Sequence, residues 1–280
     1  MMIHPYNNDI YGFFKQTICD MISAMKRKVE RIANDLAGRL KEWDSVDTIT
    51  IAEWADMDIY DPYFFLSLDV YYQGKIPSAE KRRKLFSDAG AFETSSVTKK
   101  DRFLLEDLPV RVEFKDISRI DNILLSTKEH LWVFRQTGTY MFYRIEKGKV
   151  LNKKSDWIDR TKEKLKNLPE VFWKMLHTAC QSTMEHYLLD LNAAVARADN
   201  FFYLVSSAGF IKNLCSMLFI LNRRFEPSGR KLFESVLELP RKPDNFRGRF
   251  ESFLRQAPEL TPVRKREVAE LLAKSVIAMD

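Results

Sequence analysis

The stretch Tyr63-Phe64-Phe65-Leu66-Ser67-Leu68-Asp69-Val70-Tyr71-Tyr72 decides the fold. Phe64, Leu66, Leu68, Val70 and Tyr72 fall on one face of an extended chain, while Phe65, Ser67, Asp69 and Tyr71 fall on the other. Asp61-Pro62 punctuates its start, and Gly74 and Pro77 its end. The period of two marks a strand, and Asp69 stands in its middle, opposite a continuous apolar row.

Upstream, Thr48-Ile49-Thr50-Ile51 alternates in the same way and is rich in β-branched residues, a second strand. Before it, Phe14, Ile18, Met21, Met25, Val29, Ile32, Leu36, Leu40 and Trp43 recur every three or four residues. That spacing predicts one long amphipathic helix over residues 12–43. Downstream, Ser78–Asp88 reads as a short basic helix capped by Ser78, with Lys81 where a capping box would carry Glu. Residues 89–102 are weakly patterned, a loop or a short strand. Pro109 opens a further strand, with Val110, Val112 and Phe114 on one face and Arg111, Glu113 and Lys115 on the other. A helix is expected over 118–126. Residues 131–150 fit a helix or a hairpin, with the helix favoured for 139–145 and ended by Gly148.

From Asp156 onward the pattern is helical throughout, and Pro169, Pro227, Pro240, Pro243, Pro258 and Pro262 mark the joints. Long helices are expected over 171–198 and 200–224, with two more over 246–255 and 262–278, a bundle. The expected class is therefore α+β, a mixed-sheet domain over residues 1–154 followed by an all-helical domain over 155–280.

Composition agrees with a packed protein: 45% hydrophobic, with 20 Phe and only 9 Gly in 280 residues. Cys19, Cys180 and Cys215 are sparse, odd in number and form no Cys-x-x-Cys pair, which fits a reducing compartment. Cys215 sits in an apolar helical run and is expected in the core. The first residues lack a basic segment followed by an apolar one, so no secretory signal is expected. The most apolar run, 201–221, is interrupted by Ser206, Ser207, Lys212 and Asn213, the pattern of a buried helix. A cytoplasmic protein is expected. The net charge of +6 permits phosphate binding without requiring it. The basic clusters, Lys81–Lys84 among them, read as solvated faces, and no aromatic-interleaved nucleic-acid pattern is present.

No phosphate-binding loop, dinucleotide fingerprint, nucleophile elbow, zinc-protease or EF-hand motif occurs. His177 and His186 stand nine apart, not the three or four that places ligands on one helix face. What remains is the carboxylate pair Asp69 and Glu113, each in the middle of a strand. If those strands are neighbours in register, both could approach one cation. Two hard-oxygen ligands plus substrate phosphates is a common way to hold Mg²⁺. The alternative is a wet sheet face carrying ordinary solvated charges.

The order long helix, strand, strand, helix, strand resembles the nucleotidyltransferase superfamily, in the branch of small-molecule and antitoxin-type enzymes. Ser67-Leu68-Asp69 looks like that family's Asp-x-Asp position and Glu113 like its third carboxylate. Phe142–Val150 and Phe210–Phe225, above all Leu221-Asn222-Arg223-Arg224-Phe225, resemble the helical DUF4037 domain attached to such transferases. The resemblance implies that Asp69 and Glu113 bind Mg²⁺ and act in transferring a nucleoside monophosphate from an NTP to a small-molecule or protein hydroxyl. It implies nucleotide contacts for Ser67, Arg223 and Arg224. The departures are that Ser67 replaces the first carboxylate, and that Ala52–Asp61 holds no glycine where the family has its Gly-Ser turn. One of Asp56, Asp58 and Asp61 is a candidate replacement for the first ligand. Two readings follow: a transferase with a relocated ligand and impaired catalysis, or a non-catalytic relative that binds a small ligand or a protein partner. A helical ribonuclease is disfavoured, since neither His177 nor His186 follows an Arg by four to six residues. Arg223 and Arg224 also suit the negative end of a helix dipole.

Overall fold

The computed structural model describes residues 8–52, 61–95 and 99–280, with residues 8–23 as backbone alone. Asp56 and Asp58 lie outside the described residues. The chain divides into a sheet unit, Met1–Asn122 with Ile145–Glu163, and a helical unit, Ile123–Arg144 with Lys164–Asp280. The expected boundary at residue 154 falls within the segment that returns to the sheet unit.

In the sheet unit, α1 (Asn8–Leu40) precedes β1 (Val46–Ile51), β2 (Leu66–Tyr72), α2 (Ala79–Leu85), β3 (Gly90–Ser95), β4 (Lys100–Leu105) and β5 (Leu108–Asp116). α3 (Ile117–Leu125) begins in this unit, and β6 (Lys149–Lys153) and the first turns of α6 (Trp157–Lys166) return to it. The six strands are ordered β3-β4-β5-β2-β1-β6. β2 and β5 run parallel, and the other neighbours are antiparallel. Residues 89–102, expected as a loop or short strand, contribute to two strands; the helix favoured for 139–145 forms over Tyr140–Lys147, and β6 follows it directly.

The period-two pattern sorts the sheet as expected. Leu66, Leu68, Val70 and Tyr72 join Ile49, Ile51, Val110, Val112 and Phe114 in one core, covered by Val29, Ile32, Leu36 and Leu40 of α1. α2 begins at Ser78, whose hydroxyl accepts from Lys81 N. Its basic run is not all solvated. Arg82 is buried, donating from Nε to Asp101 Oδ2 at 2.8 Å and from Nη2 to Thr94 Oγ1 at 2.6 Å. Asp101 is itself fully buried on the core face of β4. A lone carboxylate there would be expensive, and the Arg82 fork is what permits it.

The helical unit holds α4 (Leu131–Thr137), most of α5 (Tyr140–Lys147), α7 (Glu170–Arg197), α8 (Asn200–Leu221), α9 (Leu232–Leu237), α10 (Phe246–Leu254) and α11 (Pro262–Ile277). By length and composition α8 could cross a membrane, yet half of its apolar window is buried inside the protein. Phe210, Leu214, Cys215 and Leu218 of α8 pack with Met184, Leu191, Phe250 and Leu272, so it is a core helix of the bundle. Cys215 lies in that core, as its apolar neighbours imply. Gly209 lets α7 and α8 close on each other: a β-carbon there would stand 2.4 Å from the Tyr187 ring. A second aromatic cluster, Phe134, Phe142, Phe172, Trp173 and Phe225, ties α4 and α5 to α7.

Asp199 caps α8 by accepting from Phe202 N. At the other end, Arg223 N donates to Ile220 O (2.9 Å) and Arg224 N to Phe219 O (3.0 Å), a Schellman closure. Arg223 stands at φ 49, the left-handed position that glycine usually fills. Beyond it, Glu226 is buried and reciprocally bonded to Thr139: Thr139 N donates to Glu226 Oε2 (3.0 Å) and Glu226 N to Thr139 Oγ1 (2.8 Å).

Candidate functional site

The non-core face of the sheet carries the carboxylates. Asp69 and Glu113 are partners across the parallel β2/β5 pair, Thr50 is the partner of Asp69 on β1, and Lys100 that of Glu113 on β4. One row of the sheet thus reads Thr50, Asp69, Glu113, Lys100. One residue pair further along stand Thr48, Tyr71 and Lys115, and on the other side Ser67, Arg111 and Arg102. Neighbouring strands lie about 4.8 Å apart, so the pairing sets the two carboxylates side by side.

This face is not wet at the Asp69 end. Thr48, Thr50, Asp69 and Tyr71 have no exposed surface. Tyr71 packs against Trp157 at a 45° tilt with ring centroids 5.1 Å apart, and Trp157 Nε1 donates to Asp121 Oδ1. A buried carboxylate needs a counter-charge. Lys115 supplies it, donating from Nζ to Asp69 Oδ2 at 3.0 Å, and the Tyr71 hydroxyl lies 3.4 Å from the same oxygen. Glu113, nearer the surface, pairs with Lys100 Nζ at 3.0 Å. Arg111 lies over the Phe65 ring, 3.9 Å from its centroid. Thr50 Oγ1 is buried without a hydrogen-bond partner.

These residues can be tested against a magnesium centre. Paired catalytic ions lie about 4 Å apart and bridge several carboxylate oxygens. Among the described residues no group of three or more His, Cys, Asp or Glu side chains converges. Asp69 and Glu113 each already face an ammonium group of the same sheet. Ser67, at the first-carboxylate position, brings a hydroxyl and no charge. The described donor set does not fit a two-ion centre.

Alternation alone could have signalled Lys115: Arg111, Glu113 and Lys115 share a face, so a cation flanks Glu113 on either side. That Lys115 would reach Asp69 depends on strand pairing, which no local pattern specifies.

Arg223 and Arg224 part company. Arg224 is exposed and closes α8 through its backbone. Arg223 pairs with Glu170 and lines a cavity of about 350 Å³ within the helical unit. Trp173, Lys174, His177, Arg241 and Asp280 also line it.

No curated protein matches the chain. Among solved structures, a nucleotidyltransferase-like protein from Exiguobacterium sibiricum 255-15 is similar at 13% identity and a TM-score of 0.45, covering 91% of this chain and 76% of that one. Residues 134–231, which include both segments that resemble DUF4037, match the model of that family, described as a domain of unknown function. The matched span takes in parts of both units, residues 145–163 of the sheet unit and the helical segments on either side of it.

Proposed function

We propose that this chain is a nucleotidyltransferase-like protein that has lost efficient transfer and binds a small ligand or a protein partner, in the cytoplasm. One observation carries the reading: Asp69, the residue placed to hold a metal, is fully buried and its carboxylate is held by Lys115 Nζ at 3.0 Å. A cation binding there would have to displace an ammonium group from a dry site, and the loss of a buried partner costs about 3–5 kcal/mol. Ser67 in the first-carboxylate position points the same way.

The test is a thermal-shift titration with each NTP, with and without Mg²⁺, on wild type and on Asp69→Asn. A ligand at about 100 times its dissociation constant adds about 2.7 kcal/mol, which is readily seen. The expected result is no Mg²⁺-dependent shift with any NTP. A Mg²⁺-dependent shift with one NTP, abolished in Asp69→Asn, would restore Asp69 and Glu113 as metal ligands and make transfer of a nucleoside monophosphate the working reading.

A further inference from the structure

The cavity beside the end of α8 offers a site of its own, and it needs nothing from the sheet. Along α7, Glu170, Trp173, Lys174, His177 and Thr178 share the face that lines it, at the spacing of successive helical turns. Ile220 and Leu221 of α8 add apolar wall, and Arg223 and Arg241 add guanidinium groups. Its volume, about 350 Å³, falls in the range of small-molecule sites.

His177 borders the cavity, its Nδ1 3.9 Å from Asp280 Oδ2, while its Nε2 is buried in the wall and has no surface facing the cavity. Two features point to an anionic occupant. First, Arg223 keeps a bulky cation at a left-handed position where glycine would cost less. The Schellman closure explains the backbone there and gives no reason for the side chain. Second, Lys174, Arg223 and Arg241 line the cavity beside the Glu170 and Asp280 side chains, and Arg223 and Glu170 are 61% and 50% exposed. Arg241 is fixed in place, its guanidinium donating to Leu221 O at the end of α8 and its backbone N to Asn222 Oδ1.

We propose that this cavity binds a small molecule with an anionic head, a phosphate monoester or a carboxylate, and an apolar body. Arg223 and Lys174 receive the head, and Trp173 and Ile220 the body. Glu170 holds Arg223 in the absence of ligand. That exposed pair is weak, so an anion with better geometry displaces it.

The test is calorimetric titration of the full chain with phenyl phosphate, benzoate and inorganic phosphate. Phenyl phosphate or benzoate should bind saturably and more tightly than inorganic phosphate, and the tighter of the two identifies the head group. Arg223→Gly should weaken that binding about tenfold or more, the loss of a charge-assisted contact, while melting no lower than wild type. Glu170→Gln should tighten it by removing the competitor. Absence of saturable binding of all three probes to wild type would overturn the proposal, as would equal affinity in wild type and a folded Arg223→Gly.

Discussion

Replacing Gly138 with alanine probes the most confined joint of the helical unit. Gly138 stands at φ 65, ψ −162, a region that glycine alone enters without strain. A β-carbon built there would stand 1.9 Å from Glu226 Oε2. Two costs add. Forcing alanine into that backbone conformation costs about 1–3 kcal/mol. Glu226 must also withdraw, giving up its bond from Thr139 N at 3.0 Å. A hydrogen bond to a charged group contributes about 1.5–3 kcal/mol. Gly138→Ala should therefore cost about 3–5 kcal/mol, a large share of the 5–15 kcal/mol that holds a typical domain folded. Glu226→Ala alone carries only the second cost, about 2 kcal/mol. In the double variant the β-carbon meets no carboxylate, so the double should be about 2 kcal/mol more stable than the sum of the singles. Urea denaturation followed by far-ultraviolet circular dichroism measures all four proteins. With a slope of about 2 kcal/mol per molar, Gly138→Ala should lower the midpoint by about 2 M. A Gly138→Ala protein within about 1 kcal/mol of wild type, or strict additivity in the cycle, would refute the reasoning.

Other outcomes follow from the buried charges and the thiol. Arg82→Met or Asp101→Leu alone should cost about 3–5 kcal/mol, because each strands its partner in the core, whereas the double replacement should recover most of that loss; chemical denaturation of the three variants checks it. Lys115→Met should destabilise by about 3 kcal/mol by leaving the Asp69 carboxylate without its ammonium, and Lys115→Met/Asp69→Leu should be more stable than the single variant by thermal melting. Burial first, and the nearby Glu226 charge second, push the Cys180 thiol up to about 12. In a Cys19→Ser background it should therefore resist an aromatic disulfide reagent at mildly alkaline pH until the protein is unfolded. Because the folded value lies above the ordinary value of 9.0, stability from this group is intact below pH 9 and declines as pH rises from 9 towards 12. Melts across that window, compared with Cys180→Ala, measure the difference.

Strands with one unbroken apolar row were plain in the sequence, and strands whose inward row carries a charge or no period were not. β1, β2 and β5 alternate cleanly because each packs a row of Ile, Leu, Val or Phe against α1. β4 hides its inward face behind a charge: Asp101 reads as surface but lies inside, neutralised by an arginine nineteen residues upstream. β6 is half-buried at nearly every residue, so Lys149–Lys153 shows no period. For the candidate site, alternation put Asp69 and Glu113 each on the polar side of its strand. That they are register partners follows from pairing across more than forty residues. So does the reach of Lys115 to Asp69. The cavity at the end of α8 is further still from any local signal, since Arg223 was readable as the end of an apolar helix but His177 and Arg241 meet it only through the packing of the bundle.

The interleaving of the two units bears on how the protein can be cut apart. The chain passes from sheet unit to helical unit after residue 122, returns after 144 and leaves again after 163. A fragment starting at residue 155 would lack Phe134 and Phe142, which pack on Phe172 and Phe225, and Thr139, the bonding partner of Glu226. It would expose that aromatic cluster to water and invite aggregation. A fragment ending at 122 would lack β6, leaving the outer edge of β1 open to pairing with another chain. Separating the units cleanly requires a rearranged gene, in which residues 123–144 are joined by a short linker to residues 164–280 and residues 145–163 travel with the sheet.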